Sequence, residues 1–127
     1  MVLLNLLVWL RLYQTRIGEM KRRRIHPQAV ASSSQMATAL EDTRAADNFR
    51  NLFELPVLFY AAMLLIIVNQ TESQVLLVLA WVFVALRYLH SYIHCTHNRV
   101  KDRFTAYLFS GVALWAMWAV MAYMWLR

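Results

Sequence analysis

Long apolar runs separated by short polar segments dominate the pattern of this chain. Three runs, which begin near Leu52, Val75 and Phe104, each have roughly the 17 to 25 residues that a helix needs to cross a bilayer. A shorter run opens the chain and is interrupted by Arg11, whose long side chain can reach the membrane interface. We therefore predict an all-α integral membrane protein with a four-helix transmembrane bundle. A single domain, 1–127, would have spans at about residues 1–20, 47–68, 74–94 and 104–126.

The connections between the runs predict an orientation. The segments 21–46 and 95–103 are rich in Lys and Arg, whereas the short segment 69–73 carries one acid and no base. The positive-inside rule then places both basic loops in the cytoplasm and both termini on the far side. Pro27 and the serines at 32–34 interrupt the first loop. We expect the second helix to begin between Ser34 and Thr43 and to project into the cytosol before it enters the bilayer.

Composition supports this prediction and excludes two other classes. The chain is 61% hydrophobic with only two glycines and two prolines, which is too apolar and too poor in turn residues for a soluble domain. The net charge of +6 is confined to segments between apolar runs, whereas a nucleic-acid-binding face needs it spread over a folded surface. The single cysteine, Cys95, cannot form an internal disulfide and suggests a reducing environment.

Polar residues on the second predicted helix lie where the bilayer begins. Their spacing of three and four places them on one helical stripe: Asp47, Arg50, Asn51 and Glu54. Glu54 already lies inside the apolar run, where a carboxylate is normally kept only beside a partner or a wet cavity. The alternative is that Arg50 and Glu54 simply neutralise each other, since they are four residues apart.

A second set of polar residues lies at the same predicted depth. The end of the third helix carries a face with three- and four-residue spacing: Arg87, His90, His94 and His97. The fourth helix opens with charged residues: Arg99, Lys101, Asp102 and Arg103. Two polar faces at one depth predict one pocket. Its guanidinium groups, carboxylate and imidazoles suit an anionic or zwitterionic ligand.

The histidines suggest a metal site as an alternative, but their spacing disfavours it. His90, His94 and His97 would span about 10 Å along a straight helix, so the outer two are too far apart to share one ion. A pair formed by His90 and His94 with a carboxylate from elsewhere stays open. A metal-dependent membrane enzyme is therefore the third hypothesis, and we predict no metal ligands.

Two stretches of this chain resemble a known family. "FRNLFELPVLFY" on the second span and "RYLHSYIHCTHNRVKDRFTAY" between the third and fourth are similar to the membrane-associated proteins in eicosanoid and glutathione metabolism, or MAPEG, which include microsomal glutathione transferases. The resemblance extends over the whole chain in length, span number and loop pattern. It implies a homotrimer in which glutathione, a co-substrate, binds between subunits near the cytoplasmic end. We expect a bacterial member in the inner membrane, in contact with lipid and a hydrophobic substrate and with no nucleic acid.

The resemblance also implies roles for individual residues. Arg103 corresponds to the catalytic arginine beside the glutathione thiol. Arg50 would pair with a glutathione carboxylate, Asn51 would orient the peptide, and Glu54 would accept the γ-glutamyl ammonium. The remaining predicted glutathione-binding residues are His90, His94, Arg99, Tyr107 and a basic residue near the end of the first helix, either Lys21 or Arg22.

These residue types fit one chemistry. A guanidinium near a thiol favours the nucleophilic thiolate, which could attack a hydrophobic electrophile or reduce a lipid hydroperoxide. We therefore predict a glutathione-dependent transferase or peroxidase. The alternative is a non-catalytic scaffold or lipid-binding protein, because Phe104 stands where some relatives have a hydroxyl residue beside the catalytic arginine, and His94 where several have tyrosine.

Overall fold

Helices account for nearly the whole chain in the computed structural model, which describes residues 1–127. The α-helices are, in chain order, α1 (Val2–Arg23), α2 (Ser33–Ala39), α3 (Arg44–Asn51), α4 (Leu55–Val68), α5 (Gln74–Cys95) and α6 (Val100–Leu126). A 3-10 turn at Pro27–Val30 lies between α1 and α2. The all-α prediction is confirmed.

Three helical segments are long and apolar enough to cross a membrane. They are Arg44–Val68, which comprises α3 and α4, then α5 and α6. These three segments fit the predicted integral membrane protein. The 22-residue helix α1 is not among them, because charged residues such as Arg11, Arg16 and Glu19 interrupt its apolar run. A first span at the start of the chain therefore stays a prediction.

The core lies where α4, α5 and α6 pack together. Phe59 of α4 stacks on Phe83 of α5 with 4.6 Å between ring centroids. The buried residues around this pair are Ala62, Leu76, Ala80, Ala113, Leu114, Met117 and Met121. In a second, smaller cluster, Leu4 and Val8 of α1 pack against Leu52. Many large apolar side chains on the outer faces are exposed, including Trp81 and Trp115. Lipid or other copies of the chain are expected to cover them.

The predicted continuous second helix is wrong at residues 52–54, where the structure breaks the helix. Pro56 explains the break: it lacks a backbone N–H, and its ring would clash with the carbonyl of Leu52, four residues earlier. The chain therefore leaves α3 after Asn51 and restarts as α4 at Leu55, with Pro56 in the first turn, where proline is tolerated. Glu54 is the last residue before α4 and has non-helical backbone angles.

The connection between α1 and α3 is ordered by side chains rather than left as an extended loop. Ser32 accepts a hydrogen bond from the Gln35 backbone, and the Gln35 side chain accepts one in return from the Ser32 backbone, which together begin α2. The buried Glu19 carboxylate of α1 accepts the backbone N–H groups of Glu41 and Asp42. The segment just before α3 is therefore fixed to α1.

The ion pair beside this segment predicts a pH-dependent stability. Hydrogen bonds from the Arg44 guanidinium hold the pKa of Asp42 below its usual value. A carboxylate with a depressed folded pKa stabilises the fold above its unfolded pKa, and this contribution disappears as the pH falls through the folded pKa. Asp42→Asn should therefore lower the free energy of unfolding by up to about 1 kcal/mol at neutral pH, with a smaller loss in acid. Thermal unfolding midpoints of wild type and Asp42→Asn, measured at neutral pH and at a pH below the folded pKa of Asp42, test this prediction, with Glu72→Gln as the control. An equal loss of stability at the two pH values would contradict it.

Candidate functional site

Arg103, in the first turn of α6, is the centre of a polar cluster that joins α5 to α6. Its Nη1 donates to His94 Nε2 at 3.0 Å and to Asn98 Oδ1 at 2.8 Å. Its carbonyl oxygen lies 3.1 Å from His90 Nδ1. A guanidinium only donates and a carbonyl only accepts, so His94 Nε2 must be unprotonated and His90 Nδ1 must carry a proton. The contacts with His90, His94 and Asn98 together fix the position of Arg103.

A cavity of about 200 Å³ opens beside this cluster. Four of its lining residues are predicted site residues, Asn51, His90, Arg103 and Tyr107, and the other two are Val100 and Phe104. The Tyr107 hydroxyl donates to Glu54 Oε2 at 3.4 Å, which connects the cavity to the break between α3 and α4. His94 joins through Arg103. The structure thus brings together six of the residues chosen from the sequence.

The other predicted site residues lie elsewhere in the chain. Arg50 lines a separate cavity of about 60 Å³ with Arg16 and Asp47, beneath α2. Arg99 is exposed just before α6, and Arg22 is exposed in the last turn of α1. The stripe predicted on the second helix is therefore divided between two cavities. Arg50 forms no salt bridge with Glu54, so the proposed neutralisation of these two residues is not observed.

His97 does not share the face of His90 and His94. α5 ends at Cys95, and His97 lies exposed in the turn that follows, with its Nε2 4.0 Å from Asp102 Oδ2. The expectation of four polar residues on one helical face is wrong at this position, because the helix stops before it. No group of three or more His, Cys, Asp and Glu side chains is arranged to hold a metal ion.

Arg87 is the most deeply buried charged residue. The sequence predicted it on the polar face of the pocket but gave it no role in binding glutathione. Its side chain is fully buried, its Nη2 donates to the Asn51 carbonyl at 2.7 Å, and its guanidinium carbon lies 5.4 Å from the centre of the Tyr107 ring. Its Nε and Nη1 have no hydrogen-bond partner, and neither do His90 Nε2 and His94 Nδ1. Burial of an ion costs several kcal/mol, so these four polar atoms are under-satisfied within the single chain.

A second buried network, which was not predicted from the sequence, ties α3 to α5. Ser91 Oγ donates to Asn48 Oδ1 at 3.2 Å, and Asn48 Nδ2 donates to Cys95 Sγ at 3.4 Å. Asn48 and Ser91 are almost completely buried. The four-residue spacing of Ser91 and Cys95 was the available signal, since it places both on one face of α5. The network fixes the helix that carries Asn51.

Comparison with known proteins gives one match. The model of the MAPEG family matches residues 1–123. No curated protein and no solved structure matches the chain. The resemblance of the two motifs to MAPEG proteins is thereby confirmed over nearly the full length. The chain belongs to the MAPEG family.

Proposed function

We propose that this protein is a glutathione-dependent membrane transferase or peroxidase. It would act on hydrophobic electrophiles or lipid hydroperoxides through a glutathione thiolate stabilised by Arg103. The family includes glutathione transferases and peroxidases. The observation that carries the proposal is the cavity in which Arg103 lies beside Asn51, His90 and Tyr107, next to Glu54.

Arg103 is suited to hold a thiolate because only part of its guanidinium is engaged. The two hydrogens of Nη1 are directed to His94 and Asn98, while Nε and Nη2 make no hydrogen bond within the subunit. Three N–H donors therefore remain. A thiol has a pKa of roughly 8.5, and a guanidinium within about 4 to 6 Å lowers it by one to several units. Glutathione bound here would be largely ionised at neutral pH.

The other polar residues suit the remaining charges of glutathione. The tripeptide carries two carboxylates and one ammonium. Glu54, an exposed carboxylate beside the cavity, would accept the ammonium, and the Asn51 amide would bind the peptide. His90, His94 and Tyr107 would line the thiol side of the peptide. The arrangement leaves the carboxylates to basic residues outside this cavity.

The cavity is too small to enclose the whole tripeptide. Small-molecule sites usually measure about 300 to 1,000 Å³, whereas this cavity measures about 200 Å³. We therefore propose that a second copy of the chain completes the site in a homotrimer. Arg50, Arg99 and Arg22, which do not line the cavity of their own subunit, would bind the carboxylates at the subunit interface.

An apolar co-substrate can approach from the membrane. Val100 and Phe104 line the cavity and are both more than 60% exposed on the outer face of the helix pair. In the transferase reaction the thiolate sulfur bonds to an electrophilic carbon and the leaving group departs with its electron pair. In the peroxidase reaction two glutathione molecules are oxidised to the disulfide while the hydroperoxide is reduced to an alcohol and water. We place the protein in a bacterial inner membrane, with its basic loops in the cytoplasm.

A non-catalytic scaffold or lipid-binding protein is the second candidate. The observation that favours it is the contact of Arg103 with acceptors of its own subunit, His94 and Asn98, while the neighbouring Phe104 offers no hydroxyl group to a thiol. A protein of this kind would retain glutathione or lipid without turning it over.

Glutathione titration of the purified trimer distinguishes the two candidates. We expect ultraviolet absorbance from the thiolate to rise with glutathione and to saturate at one site per subunit interface. S-methylglutathione, which has no thiol, should bind without this absorbance. A dinitroaryl chloride and a fatty-acid hydroperoxide are then supplied as substrates. Turnover of either substrate supports the enzyme, and binding of glutathione without turnover supports the scaffold. Failure to bind glutathione contradicts the enzyme and leaves only the lipid-binding form of the second candidate.

A further inference from the structure

The break between α3 and α4 leaves a backbone carbonyl in need of a donor. In an uninterrupted helix the Asn51 carbonyl would accept the N–H of the residue four positions later, Leu55. Here it instead receives the Glu54 N–H over a long 3.4 Å. The Arg87 guanidinium supplies a second and shorter hydrogen bond of 2.7 Å to the same oxygen. A positive charge is also favoured at the C-terminal end of a helix.

The same guanidinium contacts the residue that holds Glu54. Arg87 lies against the face of the Tyr107 ring, with its guanidinium carbon 5.4 Å from the ring centre, and the Tyr107 hydroxyl donates to Glu54. Arg87 is therefore linked to both ends of the break: directly to Asn51, and through Tyr107 to Glu54. No other charged side chain is fully buried.

We infer that Arg87 is a positioning residue, which holds the break between α3 and α4 in the geometry that presents Asn51 and Glu54 to glutathione. This inference rests on the proposed function. Arg87 acts through the Asn51 backbone and the Tyr107 ring and leaves the thiol to Arg103. Glutathione affinity should depend on Arg87, and thiolate formation should not.

The inference can be tested with the kinetics of Arg87→Met, a substitution that removes the guanidinium and keeps an unbranched side chain. Loss of a charged hydrogen bond should raise the KM and Kd for glutathione about ten-fold or more. The KM for the hydrophobic substrate, the kcat at saturating glutathione and the pH profile of thiolate formation should stay close to wild type. Arg11→Met, the same substitution at an exposed arginine of α1, is the matched control. A variant damaged only in its packing would lose kcat and trimer content together.

Amide hydrogen exchange adds a readout that needs no ligand. Residues 52–55 should exchange faster in Arg87→Met than in wild type. Pro56→Ala tests the same geometry if Arg87→Met does not fold. The restored N–H should close the break, slow exchange at residues 52–55 and 57, and still weaken glutathione binding. Exchange should thus become faster in Arg87→Met and slower in Pro56→Ala, whereas both variants should bind glutathione more weakly than wild type.

The outcomes separate this inference from the proposed function. Wild-type affinity for glutathione overturns the role of Arg87 if it is found in folded Arg87→Met, or in a Pro56→Ala variant whose slower exchange shows that the break has closed. A wild-type protein that does not bind glutathione contradicts the proposed function instead, and unchanged exchange at 52–55 in Arg87→Met would then overturn the claim that Arg87 holds the break.

Discussion

Arg103→Ala is expected to lower turnover by about 10² to 10³-fold, the usual cost of removing one donor that stabilises a developing anion. The physical reason is the loss of the three free N–H groups beside the cavity, so the glutathione thiol would keep its ordinary pKa. Glutathione should still bind through Asn51 and Glu54, and the proposed trimer should persist. The measurement is single-turnover rate against pH, together with thiolate absorbance at saturating glutathione.

The pH profile gives this prediction its sharpest form. Because a free thiol ionises near a pKa of about 8.5, activity of Arg103→Ala should recover as the pH rises towards that value, whereas wild-type activity should reach its plateau earlier. Lys101→Ala removes an exposed positive charge from the same turn of α6 and serves as control. Wild-type turnover in Arg103→Ala, or equal losses in both variants, would remove Arg103 from the chemistry.

The helices were well predicted from the sequence, because the length and hydrophobicity of each apolar run depend only on residues within that run. The α5 and α6 boundaries, Gln74–Cys95 and Val100–Leu126, lie close to the predicted spans. The break at 52–54 was missed although Pro56 was visible in the sequence. Proline is tolerated inside apolar membrane helices, where neighbouring groups satisfy the freed carbonyl. Here Arg87, 36 residues away along the chain, donates to the Asn51 carbonyl, which the break deprives of the Leu55 N–H.

The sequence predicted those parts of the candidate site in which residues one turn apart lie on the same helix. His90 and His94, four residues apart on α5, do lie together, and Arg103 meets them because the turn between α5 and α6 is short. Arg50 and Asn51 show the limit of this reasoning. Consecutive residues of an α-helix point about 100° apart, since the helix has 3.6 residues per turn. These two therefore line different cavities.

The burial of individual side chains was the feature that the sequence predicted least well. Arg87 has the spacing of a residue at the cytoplasmic end of a span, where long basic side chains usually reach water. Its burial depends on the Asn51 carbonyl and on Tyr107, contributed by two other helices. Only tertiary packing brings those groups to it, so no local pattern in α5 could show that this arginine is enclosed.

Glu54→Ala is expected to weaken glutathione binding by about ten- to a hundred-fold, the range for a lost hydrogen bond between charged groups. Glu54 is exposed, directly precedes the N-terminus of α4, and accepts the Tyr107 hydroxyl. The N-terminus of a helix favours a negative charge at that position, and the exposed side chain is accessible to the ammonium of a ligand. The kcat at saturating glutathione should change little, because Arg103 is untouched.

A ligand analogue isolates the interaction that Glu54 is proposed to make. Deaminated glutathione, which lacks the γ-glutamyl ammonium, should bind wild type and Glu54→Ala with equal affinity, whereas glutathione itself should distinguish them. Glu72→Ala removes a carboxylate at the opposite end of the bundle and should leave both affinities unchanged. If Glu54→Ala weakens both ligands equally, the carboxylate acts on the backbone break rather than on the ammonium. If it weakens neither, Glu54 has no part in binding, and the cavity beside Arg103 must recognise its ligand through other groups.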